Sequence, residues 1–177
     1  MSLPKVRVYI ATSIDGFIAG KNGELDWLAC VEDANEDYGY AAFMDEVDAV
    51  VMGRATYEVV AAMPGPWRFA GKAVSVLTHR PLDDAHGVRV HQGALRELLE
   101  DLGRQGRRCV YLDGGAVIRQ GLREELVDDM IVSVIPVLLG EGLPLFGPGT
   151  PACDWQSLGA RSYPSGLLQL RWRRKQG

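Results

Sequence analysis

The chain is poor in cysteine: Cys30, Cys109 and Cys153 are its only three in 177 residues, and no C-x-x-C pair occurs. That argues against a disulfide framework or a zinc ribbon and fits a reducing cytoplasm. No apolar run reaches the roughly 18 residues a transmembrane helix needs, so no membrane partner is expected. The start, Met1-Ser2-Leu3-Pro4-Lys5, lacks the apolar core of a secretory leader. His79, His86 and His91 do not stand at ligand spacing with any cysteine, so no metal is expected. G-x-S-x-G, H-E-x-x-H and the Walker A loop are all absent. Basic residues are scarce at the front. Residues 1–53 hold three basic and ten acidic side chains, a net of −7, whereas residues 54–177 carry +3, leaving −4 overall. Such a balance excludes a dedicated nucleic-acid binder. With 47% hydrophobic and 24% charged residues, what remains is an ordinary folded soluble protein, read as one domain over residues 1–177.

Periodicity divides the chain into elements. Val6, Val8 and Ile10 alternate as in a strand, and a glycine-rich loop covers 13–28. A helix is expected over 33–46. The wholly apolar run Ala49-Val50-Val51-Met52 reads as a central buried strand leading into a helix over 54–62. Strands are expected over 73–77 and 88–91. A helix carries Leu95, Leu98, Leu99 and Leu102 and stops at Gly103. A strand over 109–112 and a helix over 116–126 follow. A long strand over 130–139 contains Pro136, which suggests an edge position or a bulge. Strands over roughly 155–163 and 167–174 form a hairpin. This order predicts an α/β fold with a mostly parallel central sheet, antiparallel C-terminal strands and flanking helices.

Ligands of such sheets bind at the carboxyl ends of strands. Three strand ends stand out. Met52-Gly53-Arg54-Ala55-Thr56 runs from strand through glycine into a helix, whose free N–H groups and dipole favour phosphate. Asp113-Gly114-Gly115-Ala116-Val117 repeats the pattern, with two glycines that let backbone approach a ligand closely. Thr78-His79-Arg80 offers hydroxyl, imidazole and guanidinium, a set suited to a phosphate. By contrast, Gly147-Pro148-Gly149-Thr150-Pro151-Ala152 matches G-x-G-x-x-A but holds two prolines and precedes no amphipathic helix, so it reads as a loop. The basic tail Arg171-Trp172-Arg173-Arg174-Lys175 reads as a solvated edge strand.

Val50 to Glu58 resembles the strand–helix motif of dihydrofolate reductases, and Tyr111 to Val117 resembles that family's Gly-Gly turn. Ser13-Ile14-Asp15-Gly16 and the stretch from Pro136 to Phe146 are more similar to the riboflavin-biosynthesis reductase branch, the C-terminal domain of the bifunctional deaminase-reductase. The resemblance runs from about residue 5 to residue 174 and implies a dihydrofolate reductase-like fold. It implies NADPH, with Gly53, Arg54 and Thr56 on its phosphates and Thr78, His79 and Arg80 around the adenosine 2′-phosphate. Gly114, Gly115, Ala116 and Val117 would lie along the pyrophosphate and nicotinamide end, and Ala11 and Ile18 at the nicotinamide wall. Counting by position, Asp37 is the candidate for the family's catalytic carboxylate, with Asp33, Glu36 and Asp45 as rivals. Asp15 would touch substrate or shape its turn. Trp27 and Phe43 are candidates for an apolar substrate wall.

The expected function is therefore an NADPH-dependent oxidoreductase, a stand-alone reductase domain for a small pterin- or aminopyrimidine-like heterocycle. One alternative is a non-catalytic nucleotide- or pterin-binding protein on the same scaffold. Another is the 5-amino-6-(ribosylamino)uracil phosphate reductase of riboflavin biosynthesis, which Lys5, Arg7 and Lys21 alone in the first third serve poorly. The resemblance also implies a homodimer through the apolar C-terminal strands.

Overall fold

The computed structural model describes residues 3–84 and 86–175; Met1 and Ser2, part of the stretch read for a leader, lie outside them. The elements are β1 (Lys5–Thr12), β2 (Phe17–Ala19), a 3-10 turn (Asp26–Val31), α1 (Tyr40–Asp45), β3 (Ala49–Gly53), α2 (Arg54–Ala61) and β4 (Ala73–Leu77). There follow β5 (Arg89–His91), α3 (Leu95–Arg104), β6 (Cys109–Asp113), α4 (Gly115–Arg123), β7 (Asp129–Val134), β8 (Leu143–Pro144), β9 (Trp155–Ser162) and β10 (Leu168–Arg174). One sheet has the order β5-β4-β3-β6-β1-β7-β10-β9, while β2 and β8 form a small second sheet. From β5 to β7 all neighbours are parallel. β10 runs antiparallel to β7 and to β9.

The topology creates a crevice. From β3 the chain passes through α2 to β4, toward one edge. From β6 it passes through α4 to β7, in the other direction. Right-handed crossovers then put the two helices on opposite faces, and the packing agrees. Leu98 of α3 and Ile118 of α4 are buried against Val51 and Leu112. Phe43 of α1 and Tyr57 of α2 are buried against Val50, Met52 and Tyr111. Adjacent residues of β3 thus feed both cores, which is why that strand reads as one continuous apolar run. Between the carboxyl ends of β3 and β6 the chain departs in opposite directions, leaving the opening where such sheets bind ligands.

Several expectations need correction. The helix expected over 33–46 is confined to α1, because Tyr38 (φ 56°) and Gly39 (φ 80°) are both left-handed and interrupt it. α3 runs one residue past Gly103, and the left-handed Gly106 (φ 81°) takes the terminating role. α4 stops at Arg123, short of 126. The strand expected over 130–139 ends at Val134, so Pro136 lies beyond it, and β7 is interior rather than an edge. The basic tail likewise belongs to an interior strand: β10 sits between β7 and β9. The loop over 13–28 contains β2 and the start of the 3-10 turn.

One buried carboxylate ties three strands. Asp129 of β7 meets Lys5 of β1 at 2.5 Å and Arg173 of β10 at 3.0 Å, with Arg7 of β1 at 3.9 Å. Burial pushes its pKa up, but Lys5 and Arg173 outweigh that and hold it below the ordinary carboxylate range. Asp129→Ala removes the charged partner of Lys5 and Arg173, which are about half exposed, and should cost about 1–3 kcal/mol in urea unfolding. Because the folded pKa is depressed, the contribution is complete above about pH 4, the ordinary carboxylate value, and fades as pH falls through the folded value. The gap between wild type and variant should therefore close in acid.

Candidate active site

Two helices begin at the crevice without a side-chain cap. Gly53, in extended backbone, precedes α2; Gly114, at φ 92°, precedes α4. Their first N–H groups have no intrahelical partner and carry the positive ends of the helix dipoles. The glycines also permit close packing. A Cβ on Gly114 would lie 2.0 Å from Thr56 Oγ1, and one on Gly115 would lie 2.3 Å from Ile18 Cδ1. One on Gly53 would be in ordinary contact, 3.7 Å, with Val117 Cγ2. So the fold brings Gly53, Thr56, Gly114, Gly115, Val117 and Ile18 together. Val117 buries its side chain, leaving its backbone to the crevice, whereas Ala116 is exposed.

Thr78, His79 and Arg80 follow β4, the neighbour of β3. Thr78 Oγ1 accepts the Arg80 N–H at 3.1 Å, and His79 and Arg80 are exposed. Arg54 is directed along its helix, with Nε 2.6 Å from Glu58. Ala11 lies near the end of β1, half-buried. The sheet order β4-β3-β6-β1 thus strings the expected cofactor residues along one edge, except Ile18, which β2 of the small second sheet brings against Gly115.

Beside this edge opens a cleft of about 810 Å³, lined by Tyr9, Ala11, Tyr40, Thr56, Arg68, Tyr111 and Asp113 among others. Asp113, the last residue of β6, is half-buried. Burial raises its pKa, partly offset by the Tyr111 hydroxyl, the Arg68 charge and the Gly114 N–H. Tyr111 Oη lies 3.1 Å from both Asp113 Oδ1 and the Tyr9 carbonyl oxygen. The Tyr9 hydroxyl donates to the Tyr38 carbonyl at 2.9 Å, and Gln169 Nε2 donates to the same oxygen at 2.9 Å. Burial, the largest influence, pushes the Tyr9 phenol up to about 12, so it keeps its proton.

Asp37 lies at the exposed rim of the cleft. Its carboxylate accepts the Gly39 and Ala41 N–H groups at 2.8 and 2.9 Å, which lowers its pKa and starts α1. Asp15 lies outside the cleft lining. It accepts Ser13 Oγ at 2.6 Å and the Leu139 and Gly140 N–H groups at 3.1 and 2.7 Å, and its pKa is lowered, chiefly by Ser13. It therefore clamps its turn to the 139–140 loop. Phe43 is buried behind the cleft wall, and Trp27 donates Nε1 to the Glu24 carbonyl; neither lines the cleft. Sequence reasoning overlooked Asp113 and Arg68 as side chains of the cleft. The position of Asp113 at a strand end was a usable signal. Arg68 carried none, since only the fold of the loop after α2 brings it to the cleft.

Residues 4–169 match the RibD C-terminal domain family. YwjB of Bacillus subtilis (strain 168), described there as an uncharacterized protein, is 37% identical over 145 residues, covering 80% of this chain and 82% of that protein. A crystal structure from Shewanella sp. PV-4, of a protein ascribed to riboflavin biosynthesis, superposes with a TM-score of 0.90 at 36% identity, covering 97% and 99% of the two chains. Dihydrofolate reductase from Enterococcus faecalis, in a complex with NADP(H), superposes at 0.65 with 21% identity, covering 97% of each chain. That likeness is one of fold. The architecture is a dihydrofolate reductase-like α/β fold, as the residue resemblance implied.

The glycine contact can be tested by a double-mutant cycle. Gly114→Ala places a Cβ at positive φ and against Thr56, and should destabilise by about 1–3 kcal/mol. Adding Thr56→Ala removes the colliding hydroxyl, so the combined loss should fall short of the sum by about 0.5 kcal/mol or more. Strictly additive urea-unfolding energies would mean that the collision does not occur.

Proposed function

The chain belongs to the RibD C-terminal domain family, and from that premise we propose that it is an NADPH-dependent reductase of a small heterocycle bearing a conjugated C=N or C=C bond. The observation that carries this reading is the meeting of two uncapped helix N-termini at one crevice, next to a cleft lined by Thr56 and the half-buried carboxyl of Asp113. The crevice fits a dinucleotide. Backbone N–H groups of 54–56 and 115–117 would hold its pyrophosphate. Thr78, His79 and Arg80 would grip the 2′-phosphate, while Ala11 and Ile18 would wall the nicotinamide. The fold relative from Enterococcus faecalis, complexed with NADP(H), supports that choice of cofactor.

When bound, NADPH would supply the hydride, and the chain's own residues would supply position and a proton. Tyr9 and Tyr40, both half-buried, give the cleft aromatic surface for a planar ring. Asp113, whose pKa burial raises, would take up a proton more readily than the ionised carboxylates of the rim and give it to the ring nitrogen next to the carbon that is reduced. We assign that role to Asp113 rather than Asp37 or Asp15, whose carboxylates are held ionised by backbone and hydroxyl donors. Glu32, Asp33, Glu36 and Asp37 line the cleft rim against one cation, Arg68. That balance suits a neutral heterocycle better than a sugar phosphate, and so favours it over the ribosylaminouracil phosphate reading.

The reading includes a homodimer. Met130, Val132 and Val134 of β7 and Leu170 and Trp172 of β10 line a groove of about 470 Å³ whose rim carries Ile14 and Phe146, 59% and 53% exposed. Light scattering should give twice the chain mass, and Ile14→Asp with Phe146→Glu should halve it; a monomeric wild type removes the dimer.

Titrating NADPH against tryptophan fluorescence tests the cofactor. Saturable binding is expected, with oxidation in at least one member of a panel of pterins, pyrimidines and related heterocycles. Asp113→Asn should keep NADPH binding while losing about 100-fold or more in rate. No saturable binding at high micromolar cofactor overturns the reading. Binding without oxidation across the panel would establish the non-catalytic alternative.

A further inference from the structure

Tyr111 is fully enclosed, at 4% exposure, and its hydroxyl has two oxygens at equal distance. Asp113 Oδ1 and the Tyr9 carbonyl oxygen are both 3.1 Å away. A tyrosine hydroxyl has one hydrogen to donate and lone pairs to accept. With one hydrogen, it can donate to only one of the two oxygens at a time. With Asp113 ionised, the O–H points to the carboxylate. With Asp113 protonated and that proton directed to the substrate, the carboxyl no longer draws the Tyr111 hydrogen, and the O–H turns to the Tyr9 carbonyl. In the first arrangement the carboxylate gains a donor inside a low-dielectric wall, where such a bond is strongest.

We propose that Tyr111 is a positioning residue whose hydroxyl turns between the Tyr9 carbonyl and Asp113 as Asp113 passes its proton to the substrate. The inference rests on the reading of Asp113 as the proton donor. The proton that leaves is the one on the Asp113 carboxyl, and it goes to the substrate ring nitrogen. Tyr111 keeps its own hydrogen throughout and only changes acceptor. Its burial supports this, since the phenol is pushed well above its ordinary pKa and does not ionise.

The other groups facing Asp113 do not duplicate the role. The Gly114 N–H is a fixed donor on the neighbouring residue. Arg68, from the loop after α2, acts on Asp113 through its charge and has Met63 Sδ at 3.2 Å. Tyr40 of α1 feels the Asp113 charge across the cleft without a hydrogen bond to it. Tyr9 contributes its backbone oxygen, while its hydroxyl is committed to the Tyr38 carbonyl. Asp37, at the rim, is occupied by backbone donors. Tyr111 is thus the group beside Asp113 whose hydrogen can turn toward the carboxyl or away from it as its protonation changes.

The test reads Asp113 directly. The protein, labelled with carboxyl-¹³C aspartate, is titrated by NMR without cofactor or acceptor, and the Asp113 signal is assigned by its loss in Asp113→Asn. Tyr111→Phe keeps the ring and its edge-to-face contact with Phe43, 5.1 Å between centroids. It should move the Asp113 midpoint upward by roughly one pH unit, the scale of one charge-assisted hydrogen bond. A midpoint that stays or falls overturns the proposal. If Tyr111→Phe does not fold, 3-fluorotyrosine at position 111, a stronger donor, should lower the midpoint, and an unmoved midpoint again overturns it. In NADPH oxidation, the alkaline limb should move up with the Tyr111→Phe midpoint; a limb that does not follow it removes the coupling to proton transfer. An NMR shift in a protein that oxidises no NADPH would keep the Tyr111–Asp113 bond and overturn both the reductase reading and the proton-passing role.

Discussion

The site depends on how closely the turn after β6 can approach the turn after β3. Those strands are neighbours, and their helices leave on opposite faces, so the two helix N-termini must share one small opening. Thr56 occupies the space where any side chain on Gly114 would stand, and Ile18 does the same over Gly115. Side chains at either position would collide with the opposing element, and the unpaired N–H groups would no longer converge. The remaining parts are arranged around that contact. β4 carries Thr78, His79 and Arg80 to one side of it, and β1 carries Ala11 to the other.

The cleft next to this opening is held by a second set of constraints, made of polar groups in the core. Tyr38 adopts a left-handed backbone at φ 56°, unusual for a residue with a large side chain. Its carbonyl receives the Tyr9 hydroxyl and the buried Gln169 amide, both at 2.9 Å. Its own hydroxyl donates to the Val31 carbonyl at 2.5 Å. Residues from β1, the 3-10 turn and β10 therefore fix the segment that carries Glu32, Asp33, Glu36 and Asp37. Leaving any of these buried groups unpaired costs more than a hydrogen bond contributes, so the wall has one well-defined arrangement.

Much of the fold was legible before the structure. The apolar run of β3, the leucine spacing of α3, the glycines before α2 and α4, and the C-terminal hairpin are local patterns, and each became the expected element. The errors also have local causes. Acidic and aromatic residues over 33–46 carry a helical pattern, but the Asp37 side chain captures the Gly39 and Ala41 N–H groups and starts the helix late. Pro136 pointed to an edge because it cannot join a ladder, yet β7 simply ends before it. The crevice was legible at its two glycine-led helix starts, where the signal is backbone freedom in a short motif. It was less legible on the side of the carboxyl. Asp113 sat inside a recognised motif and read as part of a turn.

The sequence by itself determined the α/β order, the family resemblance and the glycine-led helix starts, because these follow from periodicity and from where a Cβ is absent. It also determined the division of charge, −7 before residue 54 and +3 after it. Only the tertiary structure decided which carboxyl stands in the cleft and in what state. The ionisation of Asp15, Asp37 and Asp113 depends on burial and on donors from other elements: Leu139 and Gly140 for the first, the start of α1 for the second, Tyr111 and Arg68 for the third. Three aspartates with the same intrinsic acidity are told apart by solvent and neighbours, and those exist only once the chain has folded.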